Sequence, residues 1–505
     1  MSLTVVIGGT RSGKSARAEA LAAATALRVR YVATARASDA EMEERIRAHA
    51  ARRPADWETV EAGASLAAAV AGAQCALVDG LGLWIAGVAA ETVPVEMDAL
   101  IAAAASAEVI VVAEDVGSGL VPTDPEARAW VDTHGDAVQR LAAAAERVEL
   151  VVAGRSLTVH AEARASAELR YHGDADLRPG DADHAVNVVA GGPPAWLRDA
   201  LHAALDGDSD RYPREADAVN ALAALHGRDP DEIVPTNGAA EALWLLPTAL
   251  RPTLAACVHP GFTESEAALR THRVPVARVL RDPEHGFALD PGAVPDAADL
   301  VIVGNPASPT GTLDPTAAVL ALRRPGRVVV VDEAFMDLVP GEPGTLVRER
   351  LDDVIVVRSL TKALAVPGLR VGYAVAAAPL AARLRAARPP WSANTLALAA
   401  LAAAARRPEA LAATAARVQE EREDLDRRLR AIAGVRAWPG AANFCLVEVS
   451  DGPRVAAALR DRSIAVRPAG TFPGLGDGHL RITARSAQEN ARLASALEEA
   501  VAACG

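Results

Sequence analysis

The chain has 505 residues, 51% hydrophobic and 23% charged, which excludes a disordered polypeptide and, at this length, a single small domain. Its formal net charge of −13 excludes a protein that holds nucleic acid by neutralising phosphates. The four cysteines, Cys75, Cys257, Cys445 and Cys504, lie far apart with no CxxC spacing, so no disulfide framework or zinc site is readable.

A cytoplasmic protein without a membrane anchor is expected. The first residues, MSLTVVIGG, enter a strand-like run with no basic segment ahead of it, unlike a signal peptide. The apolar stretch Leu396–Ala405 is too short to span a bilayer. One count stands out: of 52 basic side chains only two are lysines, Lys14 and Lys362. Arginine keeps its proton, whereas a buried lysine can lose one and become a nucleophile. Each lysine lies inside a chemical motif.

In residues 1–157, strand-like runs at Leu3–Ile7, Val29–Ala33, Ala76–Asp79, Val109–Ala113 and Val148–Ala153 alternate with Ala-rich helical stretches. That alternation predicts a parallel sheet covered on both faces. The first run leads into Gly8-Gly9-Thr10-Arg11-Ser12-Gly13-Lys14-Ser15, a GxxxxGKS match ahead of the helical stretch Ala16–Ala23. Such a loop closes backbone N–H groups around phosphates at a helix N-terminus. Lys14 would reach the β- and γ-phosphates of ATP or GTP, and Ser15 would hold Mg²⁺. Asp79, at a strand end, is either the second Mg²⁺ ligand or a helix cap. His49 shares a helix face with Arg45 four residues earlier; by itself it reads as a surface residue.

Together, GGTRSGKS, YVATAR, DAEMEERIRAH, RRPADW, EDVGSGLVP (114–122) and QRLAAAAERVELVVAG resemble the bifunctional adenosylcobinamide kinase / adenosylcobinamide-phosphate guanylyltransferases of cobalamin assembly. The likeness covers nearly all of residues 1–157. It implies a P-loop fold, phosphorylation of the cobinamide aminopropanol hydroxyl, and GMP transfer through a covalently guanylylated His49. Two stretches depart from the family: Glu114-Asp115 stands for Asn-Glu, and Gly135-Asp136-Ala137-Val138-Gln139-Arg140 lacks an Arg and an Asn. A nucleotide-binding module without catalysis is the alternative.

From about Arg155 to Leu169 the chain shows no strong apolar period and reads as a connector, giving expected domains at 1–157 and 170–505 with a linker at 158–169. Alternation then resumes, with strand-like runs at Ala255–His259, Leu300–Val303, Val328–Val331, Val354–Val357 and Phe444–Val449 and helical Ala-rich stretches at Leu396–Ala405 and Leu411–Ala416. Lys362 lies in Arg358-Ser359-Leu360-Thr361-Lys362, with Arg370 eight residues on, as in a Schiff-base lysine beside a phosphate clamp. Asp332 ends a strand and suits the partner of a pyridine nitrogen. Asn305-Pro-Ala-Ser308-Pro-Thr-Gly311 is a tight turn, and Asn237-Gly238-Ala239-Ala240-Glu241 opens a helix whose free N–H groups suit a phosphate.

This order resembles the fold-type I pyridoxal-phosphate enzymes across about residues 170–505. RSLTKALAVPGLRVGY and DEAF point to the threonine-phosphate decarboxylases, relatives of the histidinol-phosphate aminotransferases. The resemblance implies large and small α/β subdomains. Lys362 would bond pyridoxal phosphate and Asp332 would pair with its ring nitrogen. Gly238, Ala239, Ala240, Ser359 and Arg370 would bind its phosphate, with Tyr212 reaching that of a partner subunit, so that at least a dimer is expected. Phe262 would stack on the ring, and Ser308 stands where relatives have the Asn that meets the ring oxygen. Arg481 would hold the substrate carboxylate, Arg467 and His172 its phosphate, and Asn187 begins the stretch that relatives write Asn-x-Asn-Pro. For Arg467 and Arg481 the competing reading is surface solvation. A fused enzyme of cobalamin synthesis acting on small molecules is therefore expected, with an aminotransferase as the alternative for the second half.

Overall fold

The computed structural model describes residues 2–25, 27–35, 43–44, 47, 53–54, 56–117, 119, 121–161, 169–175 and 177–504. The chain divides into two compact units, 1–163 and 164–505.

In the first unit, valine-rich runs form β1 (Leu3–Gly8), β2 (Val29–Ala33), β3 (Glu58–Glu61), β4 (Cys75–Asp79), β5 (Glu108–Glu114), β6 (Arg147–Val152) and β7 (Arg155–Ala161). Their order across the sheet is β3-β2-β4-β5-β1-β6-β7, parallel except for β7. Successive strand side chains point to opposite faces, so an all-apolar strand is buried on both sides. Val109 and Val111 accordingly join one core cluster with Met97, Leu100 and Leu141, while Ile110 and Val112 join another with Ala18, Ala22 and Leu77.

The connector expected from Arg155 begins instead as a strand. Ala153 and Gly154 both take positive φ, 50° and 77°, the geometry of a two-residue hairpin turn, and the chain returns as β7 antiparallel to β6. The first unit thus extends past 157. The period was masked because Leu157 and Val159 face outward and are more than half exposed.

In the second unit a seven-stranded sheet has the order β11-β10-β12-β13-β14-β15-β9. Its strands are β9 (Ile233–Asn237), β10 (Ala255–His259), β11 (Val276–Leu280), β12 (Leu300–Gly304), β13 (Val328–Asp332), β14 (Val354–Ser359) and β15 (Val371–Ala376). The run from β11 to β14 is parallel, and β15 is antiparallel to both β14 and β9. A smaller sheet, β16-β17-β19-β18-β8, is built from β8 (Ala182–His184), β16 (Arg436–Trp438), β17 (Phe444–Glu448), β18 (Ile464–Pro468) and β19 (His479–Thr483). Helices Thr395–Ala405 and Pro408–Arg430 contain the two Ala-rich stretches. No helix among the described residues is long and apolar enough to cross a membrane.

Candidate active sites

Two sites sit at the carboxyl ends of parallel strands, where open α/β sheets bind ligands.

In the first unit β1 ends at Gly8 and the helix Lys14–Ala24 starts after a left-handed Gly13. Only glycine fits at position 8, because a Cβ there would lie 2.5 Å from Ser12 Oγ and 2.7 Å from the Val151 carbonyl. Lys14 Nζ folds back to donate to the Gly9 carbonyl at 3.3 Å. Ser15 Oγ donates to Asp79 Oδ1 at 2.9 Å. Asp79 caps no helix: Gly80 is the cap residue of Leu81–Ile85, and the carboxylate faces the phosphate loop. Its other oxygen accepts the Tyr31 hydroxyl at 2.5 Å. Burial, with the charge of Asp79 and this hydrogen bond behind it, pushes the Tyr31 phenol far above its ordinary pKa. The Arg53 guanidinium lies 3.4 Å over the Tyr31 ring.

A glycine-lined loop, a lysine and a hydroxyl–carboxylate pair are the donor set a Mg²⁺-bound nucleoside triphosphate requires. Thr10 and Arg11 lie in the same loop, Arg11 with positive φ. His49 lies outside the described residues. Tyr31 gave no sequence signal, since nothing in a strand pattern says which carboxylate it will meet.

In the second unit β14 delivers Lys362 into a buried turn, its Nζ 4.6 Å from the Phe335 ring centroid. Burial lowers the ammonium pKa to about 8; Asp332 opposes this, while the charges of Arg370 and Arg481 assist it. Asp332, at the end of β13, accepts the Ala334 N–H at 3.1 Å. Burial pushes its carboxyl pKa up, against the charge of Lys362.

Across the same sheet edge β9 runs into the helix Gly238–Leu250. Gly238 has φ 77°, and a Cβ on it would lie 2.8 Å from Arg370 Nη2. Arg370 thus lies against the first turn of that helix, with Ala239 and Ala240 next in line. Ser359 ends β14 nearby in the sheet order. Free helix N–H groups, a guanidinium, a buried lysine and a buried aspartate fit the phosphate, aldehyde and ring nitrogen of pyridoxal phosphate.

Arg467 and Arg481, for which surface solvation is the competing reading, are buried: Arg467 is 2% exposed and Arg481 8%. They are register neighbours on β18 and β19. Arg481 donates to Ala185 O at 2.7 Å and Ser308 Oγ at 3.3 Å, so Ser308 stands beside this guanidinium. Among the described residues Arg481 Nε has no partner. Burial and the charge of Arg467 pull the Arg481 pKa down to about 9. Arg467 donates to Tyr171 O and Thr471 Oγ1, both at 2.8 Å. Asn187 Oδ1 accepts the Thr483 hydroxyl at 2.7 Å, two residues along β19 from Arg481.

His172 pairs with Glu264 at 2.8 Å and lies 6.1 Å from the Phe262 ring, which itself packs on the core of the larger sheet. Tyr212 is 70% exposed and stacks on Trp391 with centroids 4.3 Å apart. Asn305, in the turn after β12, is spent on holding Asp314: its Oδ1 accepts the Asp314 N–H at 2.8 Å. Phe335 and Tyr171 were missed as site neighbours because their roles come from packing alone.

Comparison with known proteins agrees with this division. Residues 4–159 match the family described as cobinamide kinase / cobinamide phosphate guanyltransferase, and residues 182–497 match aminotransferase class I and II. The chain is 45% identical to a histidinol-phosphate aminotransferase of Mycobacterium tuberculosis over 61% of this chain and 84% of the relative. It is 32% identical to the threonine-phosphate decarboxylase of Salmonella typhimurium over 62% of this chain and 90% of that one. Among solved structures, the histidinol-phosphate aminotransferase of Clostridium acetobutylicum superposes with a TM-score of 0.59 at 25% identity, covering 64% of this chain and 99% of that one.

Proposed function

From the premise that the chain belongs to the class I and II aminotransferase family and carries a cobinamide kinase / cobinamide phosphate guanyltransferase domain ahead of it, we propose a fused enzyme of cobalamin synthesis with two active sites. The first unit phosphorylates the hydroxyl of adenosylcobinamide and transfers GMP to the product through His49. Lys14 and the loop N–H groups hold the triphosphate, and Ser15 with Asp79 would hold Mg²⁺. The second unit decarboxylates L-threonine O-3-phosphate to aminopropanol phosphate.

Pyridoxal phosphate, when bound, supplies an electron sink for the pair left behind as a bond to Cα breaks. Gly238, Ala239, Ala240, Ser359 and Arg370 would hold its phosphate. Lys362, with its pKa lowered to about 8, presents a useful fraction of neutral amine at physiological pH, which is what attack on an aldehyde needs. Asp332 would hold a proton at the ring nitrogen, and Phe262 would cover the ring face. Arg481 would orient the substrate carboxylate, with Arg467 and His172 at its phosphate. Tyr212 would extend to the cofactor phosphate of a partner subunit in a dimer.

The observation that carries this reading is the pair of buried arginines, Arg467 and Arg481, in a chain whose other half matches a cobinamide-modifying family. A substrate with both a carboxylate and a phosphate offers an anionic group to each of these neighbouring guanidiniums. The 45% identity to a histidinol-phosphate aminotransferase favours a second reading, transfer of an amino group on a phosphorylated substrate. To separate them, the cofactor-loaded chain is given L-threonine O-3-phosphate and its products are weighed by mass spectrometry. Aminopropanol phosphate and CO₂ support decarboxylation. Pyridoxamine phosphate accumulating without CO₂ establishes the aminotransferase instead.

A further inference from the structure

Glu114 closes β5, and in the sheet register it is the neighbour of Gly8, the last residue before the phosphate loop. One of its oxygens is anchored: Oε2 accepts the Gly82 N–H at 2.8 Å and faces His134 Nε2 at 3.4 Å. His134 is buried and backed by Trp130, with ring centroids 5.4 Å apart. Among the described residues Oε1 takes no hydrogen bond, and the side chain remains 28% exposed. Burial acts to raise its pKa, but His134, the Gly82 N–H and the charge of Lys14 outweigh that and hold the carboxyl below its usual range. The result is an ionised carboxylate, fixed through one oxygen and open through the other, within the field of the phosphate-loop lysine. Of the neighbouring acids, Asp79 is committed elsewhere, accepting from Ser15 through Oδ1 and from Tyr31 through Oδ2, and Asp115 follows on directly with its backbone N–H donated to the Gly8 carbonyl at 3.1 Å. His134 is too deeply buried to meet a substrate.

We propose that Glu114 is the general base of phosphoryl transfer in the first unit, with His134 as its positioning residue. This rests on the kinase reading given above. The acceptor hydroxyl oxygen forms a bond to the terminal phosphorus of the nucleotide. The bond from that phosphorus to the bridging oxygen breaks, releasing the nucleoside diphosphate, and the hydroxyl proton passes to Glu114 Oε1. A positioned carboxylate contributes to such a step by receiving the proton as the new bond forms.

The test uses the full chain with ATP, Mg²⁺ and adenosylcobinamide, and follows kcat and KM separately. Glu114→Gln keeps the side-chain shape and an acceptor for the Gly82 N–H but is not a base. It should lower kcat by about 10²-fold or more while each KM stays within about twofold. Glu114→Asp, which keeps the carboxylate, should recover part of the loss. A Gln variant with kcat within about threefold of the unaltered chain, or with its loss confined to KM, overturns the proposal. If the Gln variant no longer binds ATP, Glu114→Ala decides: kcat restored by added formate or acetate supports the base, and a kcat that such carboxylates do not restore overturns it. An unaltered chain that binds ATP but transfers no phosphoryl group overturns the kinase reading and the proposal with it, and so is distinct from failure of Glu114 alone.

Discussion

Both anion cradles of this chain are made where a strand runs into a helix N-terminus, yet they are assembled on different length scales. At Gly8–Ser15 the turn, the lysine and the hydroxyl are consecutive residues. At Gly238 the helix supplies backbone only. Its guanidinium, Arg370, and its lysine, Lys362, arrive more than 120 residues later along β14 and β15, and Arg481 comes from the smaller sheet. The first cradle opens to solvent and works mainly through backbone N–H groups. The second gathers Lys362 around a buried aspartate, Asp332, and a buried arginine, Arg481, with Arg370 exposed at its edge, so its inner charges act in a low dielectric and shift one another's protonation. A local cradle suits a ligand that enters and leaves every cycle; a buried, convergent one suits a cofactor held between turnovers.

The largest expected effect breaks the comparison cleanly. Lys362→Ala should remove the visible absorbance of the bound cofactor and cut turnover in the second unit by at least about 10³-fold. ATP binding at Gly8–Ser15, measured on the same sample, should be unchanged. Loss of both together would show that the two cradles are not independent. Next in size is a pH effect confined to the second cradle. Because the Lys362 pKa lies at about 8, the neutral amine is the minor form below that pH and the major form above it. The rate of cofactor capture by the apoprotein should therefore rise about tenfold per pH unit below about 8 and level off above it. A rate flat from pH 6 to 9 would remove burial of Lys362 as the reason for its reactivity.

The smallest expected effect sharpens the picture of the first cradle. Tyr31→Phe removes one hydrogen bond to Asp79, whose other oxygen remains with Ser15. Such a bond is worth about 1 kcal/mol, so the Mg²⁺ concentration for half-maximal nucleotide binding should rise by about threefold to tenfold, with little change in affinity for metal-free nucleotide. An unchanged Mg²⁺ requirement would mean that Tyr31 does not orient Asp79.

Legibility followed the same division of scale. The GxxxxGKS loop was readable because its chemistry is contiguous, and the helix it opens lies within a residue or two of its expected bounds. Strands β10, β12, β13 and β14 were readable because they are apolar on both faces. Strand β7 was not, since its outward Leu157 and Val159 beside Arg155 and Ser156 mimic a connector. Strand β15 was likewise absorbed into the end of the motif RSLTKALAVPGLRVGY, whose glycine and tyrosine looked like chemistry rather than pairing. Among side chains, Arg467 and Arg481 stood out by motif, but surface solvation remained the competing reading until β18 and β19 brought them side by side in the interior.

The sequence by itself determined where the GxxxxGKS loop begins, that the only two lysines lie inside motifs, and that two α/β units follow one another, because these depend on neighbours in the chain and on hydrophobic period. Only the tertiary structure decided that Asp79 faces Ser15 instead of capping a helix, that Glu114 has one anchored and one open oxygen, and that Arg481 lies beside Ser308. Each of these is a meeting of side chains from separate strands. It is set by strand order and register, which no local pattern encodes.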